Sequence, residues 1–437
     1  MEYTLNYLLS DCKDTEIKSG QARAVIDEEQ ISIMPRRGQA ISVSFRDIDA
    51  IASGNYAIEL NLHPNDKLIL SKLGSQFDTF YRNMVTKRNE TILRDLLMYE
   101  TLRKGEFKAQ VKYSGNDGVN FDQAKCELRL YETALVILPD NGDLIRIPYS
   151  LISSIKAENY NHIIESESSE ILHINKMGRQ YEPFTRDLNA ALGNLDLNAQ
   201  ALLKELAPNQ GPIILRKAAS LLRDGRAAKK VDLDRINPEL WSDMEKQLET
   251  AGIKTEYDFL LPLSSKNQIA VGLKRGLMGD LTGEYVWFLM PLCELDEFNG
   301  YPVGNAVAIE AASGEGGGKA TYFFRITGRN EYRTLRTSNN LSPRIDQFIR
   351  EINRCMLLIN FRREPIYVTN EQLNEPRFEK YRFAVNKIPS LQLLRERFIG
   401  RVFHRSSNQW SEDVLDLLSF NMGTEDDSLK WTKNKKS

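Results

Sequence analysis

A chain of 437 residues with 41% hydrophobic content has the composition of globular protein and exceeds what one hydrophobic core can serve, so it divides into about three domains. Its 58 Lys plus Arg against 60 Asp plus Glu leave a formal charge of -2, which excludes an overall field that draws the protein to nucleic acid or membrane. Cys12, Cys126, Cys293 and Cys355 lie far apart with no CxxC, which excludes a disulfide or zinc framework and fits reduced thiols in a cytoplasmic protein.

The first fourteen residues lack the basic start of a secretory signal, and no stretch approaches the roughly 18 apolar residues of a spanning helix, so a soluble protein is expected. Residues 22–26, 30–34 and 40–45 then alternate polar and apolar side chains as half-buried antiparallel strands do. Pro35-Arg36-Arg37-Gly38 closes a hairpin between the last two. Strands resume at 50–53, 56–62 and 67–71, and Gly74 ends them. From Ser75 the period becomes helical, with Phe77, Phe80, Tyr81 and Met84 on one stripe.

This whole block recurs. Residues 34–84 laid without a gap over 138–188 pair Pro35 with Pro139, Gly38 with Gly142, Ile48 with Ile152, Asn55-Tyr56 with Asn159-Tyr160, Lys72 with Lys176, Gly74 with Gly178, Gln76 with Gln180 and Phe80 with Phe184. Identity is about a quarter, against roughly a twentieth for unrelated stretches, so the chain contains an internal duplication. The second copy places strands at 125–130, 134–138, 144–148, 163–165 and 171–175, with Asn141-Gly142 as a type I′ hairpin signal and a helix after Gly178.

Small antiparallel meanders closed by one C-terminal helix resemble the pleckstrin-homology-like superfold, which includes PH and GRAM modules. The pattern around 45–66 also looks like the tandem PH modules of a histone-chaperone subunit, from which this chain departs in lacking a long acidic tract. The resemblance implies an α+β fold of tandem small antiparallel β-barrel or sandwich modules, with residues 1–106 as the first and 107–207 as the second.

Residues 208–254 read as a helical connector, whose second helix has Asn237 as N-cap, Pro238 at the first helical position and Gly252 past the end. Strand patterns return at 257–263, 268–273, 285–291, 306–311 and 321–327, followed by a long amphipathic helix begun by Ser342-Pro343. Strands followed by one helix make 255–364 a candidate third, divergent copy. Within 365–420 a basic amphipathic helix is expected at 391–403, where Arg395, Arg397, Phe398 and Arg401 form a candidate partner-binding or membrane-contacting face. Residues 421–437 are polar and expected to be disordered.

The residues of chemistry are sparse. Gly314 to Lys319 is rich in glycine, but Ser313 and Ala320 stand where a phosphate loop needs Gly and Ser or Thr, and the run lies between strands. His63, His162, His173 and His404 form no HxxxH or HxH pair. No catalytic, cofactor-binding or metal-binding residue is assigned, and no cofactor or nucleic acid is expected. Arg36 and Arg37 are a candidate anion or lipid site, because Arg forks match phosphate oxygens. The matching tip of the second copy is Asp140-Asn141, with Asp143 after it, which would repel the same ligand.

The expectation is a non-catalytic cytoplasmic interaction or scaffold protein binding protein partners through sheet edges and inter-module grooves. The alternatives are a peripheral protein contacting anionic lipid through Arg36 and Arg37, and an enzyme with a site near Glu310, Glu315 and Lys319.

Overall fold

Tyr3, Leu5 and Tyr7 alternate with outward residues along Glu2–Ser10, and the same period of two continues through the strands that follow. These are β1 (Glu2–Ser10), β2 (Glu16–Ile26), β3 (Gln30–Pro35), β4 (Ile41–Ser44), β5 (Ile48–Gly54), β6 (Ala57–Leu62) and β7 (Asp66–Ser71), closed by helix α1 (Phe77–Leu97). The structure, a computed structural model, describes residues 2–97, 100–115, 120–275, 284–312, 320–337, 341–423 and 431. Its two units are Met1–Leu188 with Val368–Pro389, and Asn189–Tyr367 with Ser390–Ser437.

In the first module the antiparallel order is β4-β3-β2-β1-β7-β6-β5. Laid flat, seven strands would hold their edges about 29 Å apart. The two edges β4 and β5 are instead joined by the single turn Phe45–Asp47, a link that spans at most about 14 Å. The sheet therefore curls on itself, around a core that includes Phe45, Leu60, Leu68, Leu70 and Phe80 of α1.

The second module repeats this order with β8 (Leu102–Ser114), β9 (Asn120–Tyr131), β10 (Ala134–Pro139), β11 (Ile145–Pro148), β12 (Ile152–Glu158), β13 (Asn161–Ser166) and β14 (Ile171–Asn175), followed by α2 (Tyr181–Leu206). Register repeats as well. Asn6 opposes Ser71 in the first copy and Gln110 opposes Asn175 in the second, and both copies carry an irregularity just after Ile48 or Ile152. The shared polar identities have local causes. Asn55-Tyr56 and Asn159-Tyr160 hold the two positive φ values of a tight hairpin turn, and Lys72 and Lys176 are left-handed just before Gly74 and Gly178. Gln180 fixes the helix start by accepting from Lys108 N at 2.7 Å and donating to Glu106 O at 3.1 Å.

The second unit is built differently. Helices α3 (Pro212–Leu222), α4 (Lys230–Asp234), α5 (Pro238–Thr250) and α6 (Lys254–Leu260), with β15 (Ala228–Lys229) between the first two, precede its sheet. Asn237 caps α5 as expected, accepting from Glu239 N at 3.0 Å. Trp241, Met244 and Leu248 of α5 share one core with Val271, Phe288 and Phe323 of the sheet.

That sheet contains β16 (Ala270–Arg275), β17 (Glu284–Leu292), β20 (Ala306–Ala312) and β21 (Ala320–Arg325), with a side hairpin of β18 (Glu297–Phe298) and β19 (Tyr301–Pro302). Then come α7 (Arg329–Thr337), α8 (Leu341–Leu358), α9 (Glu364–Tyr367), α10 (Arg382–Lys387), α11 (Pro389–Arg397), β22 (Phe398–Phe403) and α12 (Ser407–Met422). The order β15-β16-β17-β20-β21-β22 differs from the order shared by the first two modules, and its two outer strands lie outside the 255–364 expected for a divergent third copy. The strand expected at 257–263 is helical instead, because Tyr257, Leu260 and Leu263 bury at intervals of three. At the C-terminal end, Asn421 lies buried in α12 and donates to Gly304 O and Asn305 O at 3.0 Å, so order extends past the expected boundary; residues 424–430 and 432–437 lie outside the described residues.

Gly74 and Gly178 adopt φ of +58° and +55°, and a Cβ at either would meet nothing within 4 Å, so backbone strain alone sets the cost of a side chain. Gly74→Ala and Gly178→Ala should each destabilise by about 1 kcal/mol, with near-additive effects in the double variant, as read by urea denaturation.

Candidate functional site

The hairpin tip that lacks arginine in the second copy is the place where the two modules of the first unit are joined. Asn89 of α1 donates to Gly142 O at 2.8 Å and accepts from Leu144 N at 3.3 Å, while the Tyr81 hydroxyl donates to Asn141 O at 3.4 Å. Arg88, with 1% exposure, donates to Asp143 and, at 3.0 Å, to Ile48 O. Lys387 of α10 reaches the other Asp143 oxygen at 3.3 Å. Burial alone would raise the Asp143 pKa, but the charges and hydrogen bonds of Arg88 and Lys387 outweigh it and hold the carboxyl below its ordinary value.

Beside this joint lies a cavity of about 310 Å³. Its walls are Ala50 and Ile51 of β5, Tyr81, Val85 and Arg88 of α1, Phe121 and the β10–β11 tip of the second module, and Lys387. The wall formed by β5 is an edge strand, paired with β6 on one side only. Gly54 opposes Ala57 across the two-residue turn, so the alternation of bonded and open pairs directs the N–H and C=O of Ile51 and Ser53 away from β6. Tyr56 at that turn is 78% exposed, and its ring meets Phe77 edge-on at 5.8 Å.

A second polar cluster lies inside the second unit. His404 donates from Nδ1 to Glu256 at 3.0 Å and from Nε2 to Glu310 at 2.9 Å. The Thr321 hydroxyl donates to Glu310 at 2.5 Å and accepts from Trp410 Nε1 at 3.1 Å. Burial opposes a charge on His404, but the two carboxylates dominate and raise its pKa to about 9. A hydroxyl, an imidazole and a carboxylate are aligned here as in a nucleophilic triad. Yet Glu310 takes the same ring nitrogen, Nε2, that faces the Thr321 hydroxyl, and Glu310 and Thr321 are both fully buried. The two carboxylates also lie on opposite ring nitrogens, so they do not converge on a common point. Among the described residues no group of three or more His, Cys, Asp or Glu is arranged to hold a metal ion. What the cluster does is tie α6, β20, β21 and α12 to the segment after β22.

The residues singled out from the sequence are scattered. Arg36 and Arg37 are exposed at the β3–β4 tip. The helix expected over 391–403 ends at Arg397, and Phe398 begins β22, which pairs with β21, so the four C-terminal candidates do not share one helical face. Arg395 donates to Pro365 O at 2.6 Å, and burial lowers its pKa. Arg397 lies 4.0 Å from Glu396. Phe398 packs against Phe324 with ring centroids 5.6 Å apart, and the Arg401 guanidinium lies 4.0 Å from the centre of the Tyr367 ring. Of the proposed enzymatic group, Glu310 is in the cluster just described, whereas Glu315 and Lys319, with the glycine-rich run, lie outside the described residues. The residues missed were Arg88, Asp143 and Lys387. The unlike hairpin tips were the available signal.

No protein-family model and no curated protein matches the chain. Solved structures similar to parts of it include the Spt16D Pob3N heterodimer, at 14% identity and a TM-score of 0.16, covering 38% of this chain and 83% of that one. A superposition of that quality assigns neither a fold nor a partner. Among the described residues no helix is long and apolar enough to cross a membrane.

Asp143→Ala would leave the buried Arg88 guanidinium without its carboxylate and should destabilise the first unit by about 3 kcal/mol, measured by chemical denaturation followed with probes in each module. His404, whose pKa is raised on folding, contributes stability that is fully present below its unfolded value near 6.5 and is lost as pH rises through about 9. Thermal melts between pH 6 and 10 should therefore show the second unit weakening on the alkaline side, and His404→Gln should flatten that slope.

Proposed function

We propose that the chain is a non-catalytic interaction protein whose first unit receives an extended segment of another protein along the groove between its two modules. The observation that carries this reading is the cavity of about 310 Å³ bounded by the one-sided edge strand β5. An unpaired strand edge is a template for another strand, and a neighbouring groove supplies side-chain pockets that make the pairing selective. The lining by Ile51, Val85, Phe121 and Pro139 gives apolar surface to cover, and Phe77 and Tyr56 extend it along the outside of α1. The near-zero net charge also suits a protein partner better than a polyanion. Within the PH-like reading of the two copies, the conserved part is the curled sheet, and the function lies where the copies meet.

A display library of random dodecapeptides selected on the full chain tests this. Selected peptides should slow amide exchange along β5, and Ile51→Pro, which removes an outward N–H at an edge position together with the packing of Ile51 on the module's core, should weaken them at least about ten-fold at temperatures below the variant's own melting transition. The proposal is overturned if nothing is enriched above an unrelated control protein, or if selected peptides bind Ile51→Pro unchanged.

A further inference from the structure

The charged part of the cavity wall is not neutral. Arg88 has two of its three nitrogens engaged, one on Asp143 and one on Ile48 O, but its Nε is buried and has no hydrogen-bond partner. That N–H is closed to solvent, so what the cavity offers a ligand is charge rather than a free donor. Arg88 and Lys387 supply two positive charges around the single negative charge of Asp143, which leaves this end of the cavity one positive charge in excess. Lys387 keeps a third of its side-chain exposure, and an ammonium that donates to Asp143 carries two further N–H groups.

We propose that the groove selects an extended peptide bearing a carboxylate side chain, with its main chain alongside β5 and its carboxylate on Lys387, beside the buried Arg88–Asp143 pair. This rests on the groove reading above and adds the chemistry of the partner. One excess charge matches one carboxylate and is exceeded by a dianionic phosphate. The flanking positions of the peptide face Ile51, Val85 and Phe121 and are therefore apolar. Because successive side chains of a strand alternate, apolar and acidic groups on the groove side fall two residues apart.

Fluorescent heptapeptides of alternating Val and Thr with Glu, Gln, Lys or phosphoserine at one groove-facing position would be titrated against the full chain. The Glu peptide should bind at least about ten-fold more tightly than its Gln isostere, since the Gln amide leaves the excess charge unmatched. Lys387→Gln, whose amide can still donate to Asp143, should reduce that preference to about three-fold or less at temperatures below its melting transition, and methylating alternate peptide nitrogens should abolish binding. Equal binding of Glu and Gln peptides, both lost in Ile51→Pro, would overturn the carboxylate and leave the groove reading intact. Absence of any binding, together with an empty display selection, would overturn both. Tighter binding of the phosphoserine peptide than the Glu peptide would reassign the site to a phosphorylated segment.

Discussion

A fully buried arginine holds the first unit together. Arg88 is reached by the second module through Asp143 and by the first through the carbonyl of Ile48, so one guanidinium spans the joint between two copies of the same fold. Placing such a charge out of water is costly, and it persists only because a carboxylate and an aligned carbonyl meet it there. The two copies share residues where strands must turn and the closing helix must start, and differ where this joint forms. The arginine-rich tip of the first copy and the Asn141-Gly142-Asp143 tip of the second illustrate the result. Equivalent in position, one points to solvent and the other is consumed by its neighbour.

The second unit solves a different problem with the same materials. Its sheet is covered by helices that come before it in the chain and completed by β22, which arrives about 75 residues after β21. Non-local pairing of that kind needs something to hold the returning strand, and the His404 cluster sits one residue beyond its end. Residues that in another setting would perform acid–base chemistry serve here to bind five segments together, since each carboxylate and hydroxyl is turned inward onto another member of the cluster.

Much of the first unit was legible in the sequence. The offset between residues 34–84 and 138–188 anticipated matching strands, matching turns and the helix after each glycine, because hairpins with fixed turn chemistry are local structures. Strands β1 and β8 escaped notice although Tyr3, Leu5 and Tyr7 alternate plainly; they lie outside the ungapped match. Errors concentrated where tertiary structure decides. The apolar run at 257–263 fits either period, and only its burial against the second sheet makes it helical. Residues 398–403 looked like the end of an amphipathic helix because Phe398, Ile399 and Val402 have helical spacing, yet the free edge of β21 takes them as a strand. The joint itself was invisible as a site, since Arg88 lies in an ordinary helix and Asp143 in an ordinary turn. Only the contrast between the two tips hinted that one had acquired another task.

The first unit is also discontinuous. Arg382 donates to Asp47 and to Leu373 O, and Lys387 completes the Asp143 pair, so the segment Val368–Pro389 belongs to a body whose remainder ends at Leu188. During synthesis about 180 residues separate these parts, which at common elongation rates is a delay of roughly ten to forty seconds. During that interval both barrels have been synthesised while Asp47 and Asp143 still lack their later partners. The nascent first unit therefore passes through a period in which its groove is open and missing one wall. That wall, and the positive charge it carries, is the last piece of the first unit to be made.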